Sequence, residues 1–315
     1  MSNFAIEFTT KQVLGNDILQ EQRIAVQNVT GTIKQENERF ILELVGEKEE
    51  VLCILRSIWE LASLYDGYFY RPVNYVIDGE EQTVKDLHFL SYYNTGGIWM
   101  SSAVALAGSN KDFSNERISK YNSFRNQSRP DGKLIKSMIN SYYYLRSDKY
   151  EGINVNHRLC LFLNLCDGLA STLYGTDSIN ASVSKIINSA MLTKKVKHGA
   201  SLLGIPKGKI FKALAAERNE IDHYIIKNGS ISEYEMNASQ PMRNYINFYF
   251  TYVVELAIRI TILKIIGFEC EEKYIDNGID NINDWVIIGC DMNEECSNEI
   301  NRFRQELKQM GIEFR

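Results

Sequence analysis

The sequence predicts an α+β fold, in which a mixed, mostly strand N-terminal domain precedes an all-α helical bundle and a small C-terminal appendage. Alternating apolar segments rich in β-branched residues fill most of roughly the first hundred positions. After Gly132, apolar residues recur at helical spacing. Between the two, Asn, Ser, Asp, Arg and Lys dominate residues 108–132. We therefore place a boundary there and predict domains at residues 1–127, 128–268 and 269–315.

In the N-terminal domain we expect a sheet with one helix packed on it. Alternation and β-branched runs predict strands over residues 4–10, 23–33 and 40–45. Apolar residues at helical spacing predict a helix over residues 49–65, which Asp66-Gly67 ends. The aromatic-rich sequence that follows predicts further extended segments at residues 68–77, 83–93 and 97–106.

The bundle is predicted from five helical stretches with short connections. They cover residues 133–145, 156–174, 178–196, 206–224 and 241–266. Gly175 and Gly267 follow the second and the last of these stretches, and glycine commonly ends a helix. In the appendage, which is acidic up to Glu299, we expect a strand at residues 285–288 and a helix at residues 297–310.

The composition indicates a globular chain and disfavours several functional classes. Hydrophobic residues make up 44% and charged residues 24% of the 315 positions, which is ordinary for a globular protein. The six cysteines form no CxxC pair and no metal-ligand spacing, so we expect free thiols, no metal and no cofactor. No phosphate-binding glycine motif occurs. Because the N-terminus lacks a signal-peptide pattern and Glu255, Arg259 and Lys264 interrupt the apolar stretch 245–268, we expect a cytoplasmic protein without a membrane span.

The strongest candidate for chemistry lies near the end of the fourth predicted helix. Arg218 and His223 are five residues apart, about 140° around a helix, so both can border one cleft and grip different sides of a phosphate. RNA can be cut without metal when its own 2′-OH attacks the adjacent phosphorus. That reaction needs a proton donor or acceptor near neutral pH, here His223, and a fixed positive charge, here Arg218. Asn219 could hold the imidazole or contact the phosphate, and Asp222 could orient Arg218.

A basic stretch leads into this motif. The chain has a net charge of −5, yet residues 178–216 contain no acidic residue and carry +7 before histidine is counted. Such a stretch suits phosphate backbones, although a solvated basic face would have the same composition. Lys185 contributes to the charge, and the predicted RNA-binding residues are Lys194, Lys195, Lys197, His198, Lys207, Lys209 and Lys212.

The helical half of the chain, about residues 133–268, resembles the HEPN superfamily (higher eukaryotes and prokaryotes nucleotide-binding). The resemblance is carried by Arg218-Asn219-Glu220-Ile221-Asp222-His223. This is an Arg-x4-His motif with Asn after the Arg, late in a bundle helix and followed by one more long helix. Together with the mixed N-terminal domain, the bundle resembles the ApeA-type abortive-infection nucleases of bacterial antiphage defence.

The resemblance implies a ribonuclease that cuts single-stranded or loop RNA without metal, usually as a homodimer with two motifs facing one cleft. One arginine and one histidine per subunit make a sparse site, which a two-fold axis doubles. The resemblance also implies a polar residue on the first bundle helix that supports the motif. Asp167 is the candidate for that residue, with Asn164 as the alternative.

These inferences lead us to expect a metal-independent endoribonuclease in which His223 is the general acid/base and Arg218 stabilises the phosphorane. We expect it to be silent until a trigger, such as a phage product or a regulatory partner, activates it. The N-terminal domain or the acidic appendage would keep it silent, the latter by shielding the lysines. Two alternatives stay open: a non-catalytic HEPN module that binds RNA, a nucleotide or a partner, and the toxin of a toxin–antitoxin pair. An arginine and a histidine in a last helical turn also complement the helix dipole without any catalysis.

Overall fold

The chain has an antiparallel sheet near the N-terminus and is mostly helical thereafter, which is an α+β fold. It forms two compact units: unit 1 is Met1–Glu151 with Ile262–Tyr274, and unit 2 is Gly152–Thr261 with Ile275–Arg315. This division differs from the expected boundary after residue 127. The computed structural model describes residues 1–9, 19–36, 39–67, 70–83, 87, 106–107, 111–126, 130–145, 155–205, 210–211, 214–215, 218 and 240–309.

The sheet of unit 1 is built from six strands within the described residues. They are β1 Ser2–Thr9, β2 Leu19–Val26, β3 Val29–Glu36, β4 Arg39–Gly46, β5 Arg71–Ile77 and β6 Glu80–Glu81. All neighbours are antiparallel, in the order β2-β3-β4-β1-β5-β6. The single strand predicted over residues 23–33 is wrong, because Val26 pairs with Val29 across a two-residue turn. Gln27 in that turn has a left-handed φ of 55°, which a run of β-branched residues does not reveal.

Helix α1 (Lys48–Asp66) packs on β3 and β4, which confirms the predicted helix and its position on the sheet. It ends at Gly67, whose φ is 74° and whose amide donates to the Ser63 carbonyl oxygen. Trp59 is 1% exposed, and its Nε1 donates to the Tyr70 carbonyl oxygen at 2.8 Å. All residues from Ser57 to Asp66 are buried, so the C-terminal half of the helix is enclosed on every side. The extended segments predicted at residues 83–93 and 97–106 lie almost entirely outside the described residues.

Two helices, α2 (Asn115–Arg125) and α3 (Pro130–Leu145), occupy the region predicted as a boundary. The Ser114 hydroxyl caps α2 by accepting from the Arg117 amide at 3.3 Å. Polar residues dominate because they form the exposed side of α2. Pro130 is the first residue of α3, a position where proline loses no helical hydrogen bond.

A buried carboxylate joins these three helices. Glu60 on α1 is 0% exposed, and its Oε2 accepts from Tyr121 Oη at 2.7 Å and from Arg125 Nε at 2.8 Å. Its Oε1 accepts from Arg56 Nε at 2.8 Å. On α3, Asn140 Oδ1 accepts from the Nη2 atoms of both arginines at 2.8 and 2.6 Å. Burial and the charge of Glu60 raise the pKa of Tyr121 well above its usual value, so the phenol remains a hydrogen-bond donor.

Helices make up the described part of unit 2. They are α4 Val155–Tyr174, α5 Ile179–Ser189, α6 Thr193–Leu202, α7 Gln240–Ile265 as far as Thr261, α8 Glu272–Asp291 from Ile275 onward and α9 Glu294–Gln309. The single helix predicted over residues 178–196 is wrong: Met191, with a φ of 62°, separates α5 from α6. Helical residues also occur at Ile210, Phe211, Leu214, Ala215 and Arg218.

The strand predicted at residues 285–288 is wrong as well, because these residues belong to α8. The buried apolar residues described in that helix recur every three or four positions, as on one side of a helix: Ile275, Ile279, Ile282 and Val286. A four-residue apolar run does not by itself distinguish a strand from a helix segment. The helix predicted at residues 297–310 is confirmed by α9, which begins three residues earlier.

Helix α7 is, among the described residues, the one helix long and apolar enough to cross a membrane, and 89% of its most apolar window is buried. Glu255 and Arg259 lie inside it at 1% and 0% exposure, with Arg259 Nη1 3.9 Å from Glu255 Oε2. Gly267, which has a φ of 80°, follows its end. The expected buried helix over residues 241–266 is confirmed.

Candidate functional site

Arg218 extends a line of residues at intervals of four. Ile210 is 0% and Leu214 1% exposed, so this side of the helical segment faces the interior of unit 2. Arg218 comes one helical turn after Leu214 and is half-buried. The chain is thus positioned to direct the guanidinium of Arg218 to a neighbouring helix.

That neighbour is α4, to which two contacts connect Arg218, while a third contact joins the two α4 side chains involved. Arg218 Nε donates to Asn164 Oδ1 at 2.7 Å. Asn164 Nδ2 donates to Cys160 Sγ at 3.8 Å, and Cys160 Sγ in turn donates to the Arg218 carbonyl oxygen at 3.9 Å. Asn164 and Cys160 are one turn apart on α4, so the contacts close a ring that fixes both the backbone and the side chain of Arg218.

The ring also fixes the orientation of the Asn164 amide. Reversing the amide would set its NH₂ group against the N–H of Arg218, and two donors would then face each other. Asp167, the other candidate on α4, is half-buried three residues further along. Burial and the negative charge of Asp167 raise the pKa of the Cys166 thiol. Of these two candidates, Asn164 is the one whose side chain makes the described hydrogen bond with the Arg218 side chain.

This arrangement is suited to holding a positive charge in a fixed place. A guanidinium has five N–H donors, and anchoring at Nε fixes its plane while Nη1 and Nη2 carry the other four. The anchor is an amide oxygen, which orients the arginine without contributing a neutralising charge. A planar, oriented cation of this kind matches the oxygens of a phosphate and the charge that builds on them during phosphoryl chemistry.

The described part of the acid-free stretch forms α6. Lys194 and His198 are exposed and Lys197 is half-exposed, and their spacing places them on one side of the helix. Lys185, on α5, lies over the Tyr174 ring at 4.9 Å. These residues present positive charge on the surface of unit 2.

Lys195 is the exception on this helix. Its Nζ lies 3.1 Å from Asp276 Oδ1 and 3.3 Å from both carboxylate oxygens of Asp280, on α8. Partial burial acts against the charged form, but the hydrogen bonds and charges of the two carboxylates raise the pKa of Lys195. The sequence pattern missed these partners, because they lie more than 80 residues away in a segment predicted as a separate appendage.

The remaining predicted site residues lie outside the described residues: His223, Asn219, Asp222, Lys207, Lys209 and Lys212. Of the predicted set, the structure therefore brings together Arg218 and Asn164, and groups Lys194, Lys197 and His198 on one face of α6. Among the described residues, no group of three or more His, Cys, Asp or Glu side chains could hold a metal ion.

Comparisons of the chain with protein-family models, with curated proteins and with solved structures find no match.

Proposed function

We propose that the chain is a metal-independent endoribonuclease of HEPN type, active as a homodimer and acting in antiphage defence. The observation that supports this most directly is the contact between Arg218 and Asn164. It supplies a motif arginine that is oriented by a polar residue of helix α4, and the HEPN resemblance implies support by a polar residue. The exposed lysines of α6 offer a surface for the RNA backbone.

In the proposed reaction, His223 accepts the proton of the ribose 2′-OH as this oxygen attacks the adjacent phosphorus. Arg218 stabilises the negative charge on the pentavalent phosphorane. The bond from phosphorus to the 5′ oxygen then breaks, and that oxygen takes up a proton from the imidazolium of His223 or its copy in the second subunit. The products are a 2′,3′-cyclic phosphate and a 5′-OH, with no water consumed.

The test is cleavage of total RNA by the purified full-length protein in the presence of EDTA. We expect Arg218→Ala and His223→Ala each to lower the cleavage rate by about 100- to 1,000-fold, the usual loss for one charge-stabilising or proton-transfer group. His157→Ala, an exposed histidine on α4, is the matched control and should stay within about threefold of wild type.

Each outcome separates the alternatives. Cleavage in EDTA that both substitutions abolish supports the nuclease, and 5′-OH ends that accept phosphate directly from polynucleotide kinase support the 2′-OH route. Cleavage that persists in both variants shows that the site assignment is wrong. RNA binding without cleavage, in cells exposed to phage as well as in the purified protein, favours the non-catalytic binding module.

A further inference from the structure

Helix α6 presents two different faces. Lys194, Lys197 and His198 are directed to one side, whereas Lys195 lies about 100° from Lys194 around the helix. Gly199 follows Lys195 by one turn and marks the packed side. A β-carbon at Gly199 would lie 2.2 Å from both Asn283 Oδ1 and Tyr249 Oη. At this position α6 packs against α8 and α7 so closely that only glycine fits without a shift of these side chains.

The acidic side of α8 lies along this seam. Asp276 and Asp280 are one helical turn apart, about 6 Å along the axis, and both reach the ammonium of Lys195. One lysine therefore faces two carboxylates spaced much as neighbouring phosphates are spaced along an extended nucleic-acid strand. Asp284 follows one turn later and is exposed. Lys195 together with Asp276 and Asp280 has a net charge of −1, whereas Lys195 alone would have a charge of +1.

We propose that Asp276 and Asp280 of α8 occupy on Lys195 the place of RNA phosphates, so that α8 is an internal competitor of RNA for α6. This inference rests on the proposed function, since it concerns how RNA reaches the same unit. The contact is suited to exchange: the side chains are 31–59% exposed, and ion pairs between exposed groups are weak and screened by salt. An RNA strand that binds the neighbouring lysines adds phosphates in a row and releases counterions, and so displaces α8 from Lys195.

The experiment measures binding of a fluorescein-labelled 20-nucleotide 2′-O-methyl-uridine strand, which lacks the attacking 2′-OH, by fluorescence anisotropy over a range of salt concentrations. The test variant is full-length D276N/D280N. The matched control is D284N/D291N, which makes the same charge change at two exposed positions of the same helix. Circular dichroism establishes that all variants are folded.

We expect D276N/D280N to lower the Kd about three- to tenfold and to steepen the dependence of log Kd on log salt by about 0.7, the value for one more phosphate contact on a single strand. D284N/D291N should change the Kd less than about twofold, because the described contacts of Lys195 are made by Asp276 and Asp280 and exposed charges that make no contact are screened. K195Q supplies a double-mutant cycle. It should remove the gain in D276N/D280N, because the ammonium that the two carboxylates contact is then absent.

Equal gains in D276N/D280N and D284N/D291N would overturn the inference, because net charge alone would then explain the change. So would a full gain that survives K195Q, or the absence of binding in every variant. None of these outcomes depends on catalysis by Arg218 and His223, which the cleavage assay in EDTA tests separately. Cleavage can therefore fail while the competition by α8 stands, and the reverse also holds.

Discussion

At the scale of single residues, Asn164 separates two roles that an arginine partner can have. A carboxylate at this position would hold Arg218 and also neutralise it, whereas the amide only holds it. If Arg218 served only the packing of unit 2, a carboxylate would be at least as good a partner as the amide. If Arg218 stabilises a phosphorane, a carboxylate would weaken the field that does so.

We therefore predict that Asn164→Asp lowers activity strongly and stability only slightly. The hydrogen bond from Arg218 Nε is kept, so the free energy of unfolding should fall by less than about 0.5 kcal/mol, while the cleavage kcat should fall by about tenfold or more. Asn164→Ala should lower both, with a stability loss of about 1–2 kcal/mol. The measurements are urea unfolding and single-turnover cleavage.

Ser171→Asp is the control for adding a negative charge to the same helix, at an exposed position, and it should leave kcat within about threefold of wild type. Full activity in Asn164→Asp would contradict the charge argument. It would leave Asn164 with a purely structural role.

At the scale of elements, α1, α2 and α3 depend on one carboxylate. Glu60→Gln removes the charge that Arg125, 4% exposed, and Arg56 both contact. Breaking a buried ion pair by removing one partner costs about 3–5 kcal/mol. We predict a loss of that size in the free energy of unfolding, measured by urea denaturation followed by circular dichroism, or failure to obtain folded protein.

The matched control for this prediction is Glu49→Gln, in the exposed first turn of the same helix. It should cost no more than about 1 kcal/mol, because it alters only the interaction of a surface charge with the helix N-terminus. Similar losses for the two substitutions would show that the buried network contributes nothing beyond an ordinary surface charge.

The elements also show what sequence patterns can and cannot specify. The ends of α1 and α7 were predictable because glycine at residues 67 and 267 takes a left-handed backbone. The break between α5 and α6 was not predictable, because the residue that adopts the left-handed backbone there is Met191 and not a glycine. Helix α8 was mistaken in part for a strand because its apolar run at residues 285–288 is short, while its periodicity appears only over four turns.

The same distinction holds for the candidate site. Arg218 was identified from its neighbours in sequence, and the need for a polar residue on α4 came from the HEPN resemblance. Which residue meets that need depends on how two helices are rotated against each other, and sequence spacing does not contain that information. Asp276 and Asp280, whose carboxylates contact Lys195, lie more than 80 residues after it. Composition alone therefore assigned them to a separate appendage.

At the scale of the whole molecule, neither unit is a continuous piece of chain. Unit 1 takes in Ile262–Tyr274, and unit 2 takes in Ile275–Arg315. In unit 1, for example, Phe268 packs on Tyr65 with ring centroids 4.7 Å apart. In unit 2, Arg304 Nη2 donates to the Leu202 carbonyl oxygen at 2.5 Å. Domain boundaries drawn from composition would therefore cut through both cores.

Removing residues 269–315 would test whether the acidic appendage keeps the proposed nuclease silent. We predict that this deletion unfolds unit 2 and does not activate the nuclease. The deletion removes four fully or nearly buried aliphatic side chains of α8, each worth about 1.5–3 kcal/mol. Such a loss corresponds to a fall in Tm of more than about 10 °C, or to insoluble protein. Differential scanning calorimetry of the truncated chain beside full-length D276N/D280N checks this. A truncated chain that melts within about 3 °C of wild type would contradict it.

The ion pair between Lys195 and α8 has a further consequence for how the chain is made. Asp280 follows Lys195 by 85 residues. At about 5–20 residues per second, Lys195 leaves the ribosome roughly 4–17 s before this carboxylate leaves it. During that interval the lysines of α6 are next to the densest RNA surface in the cell without their acidic neighbour. If α8 competes with RNA as proposed, α6 is therefore more accessible to RNA in the nascent chain than in the finished protein.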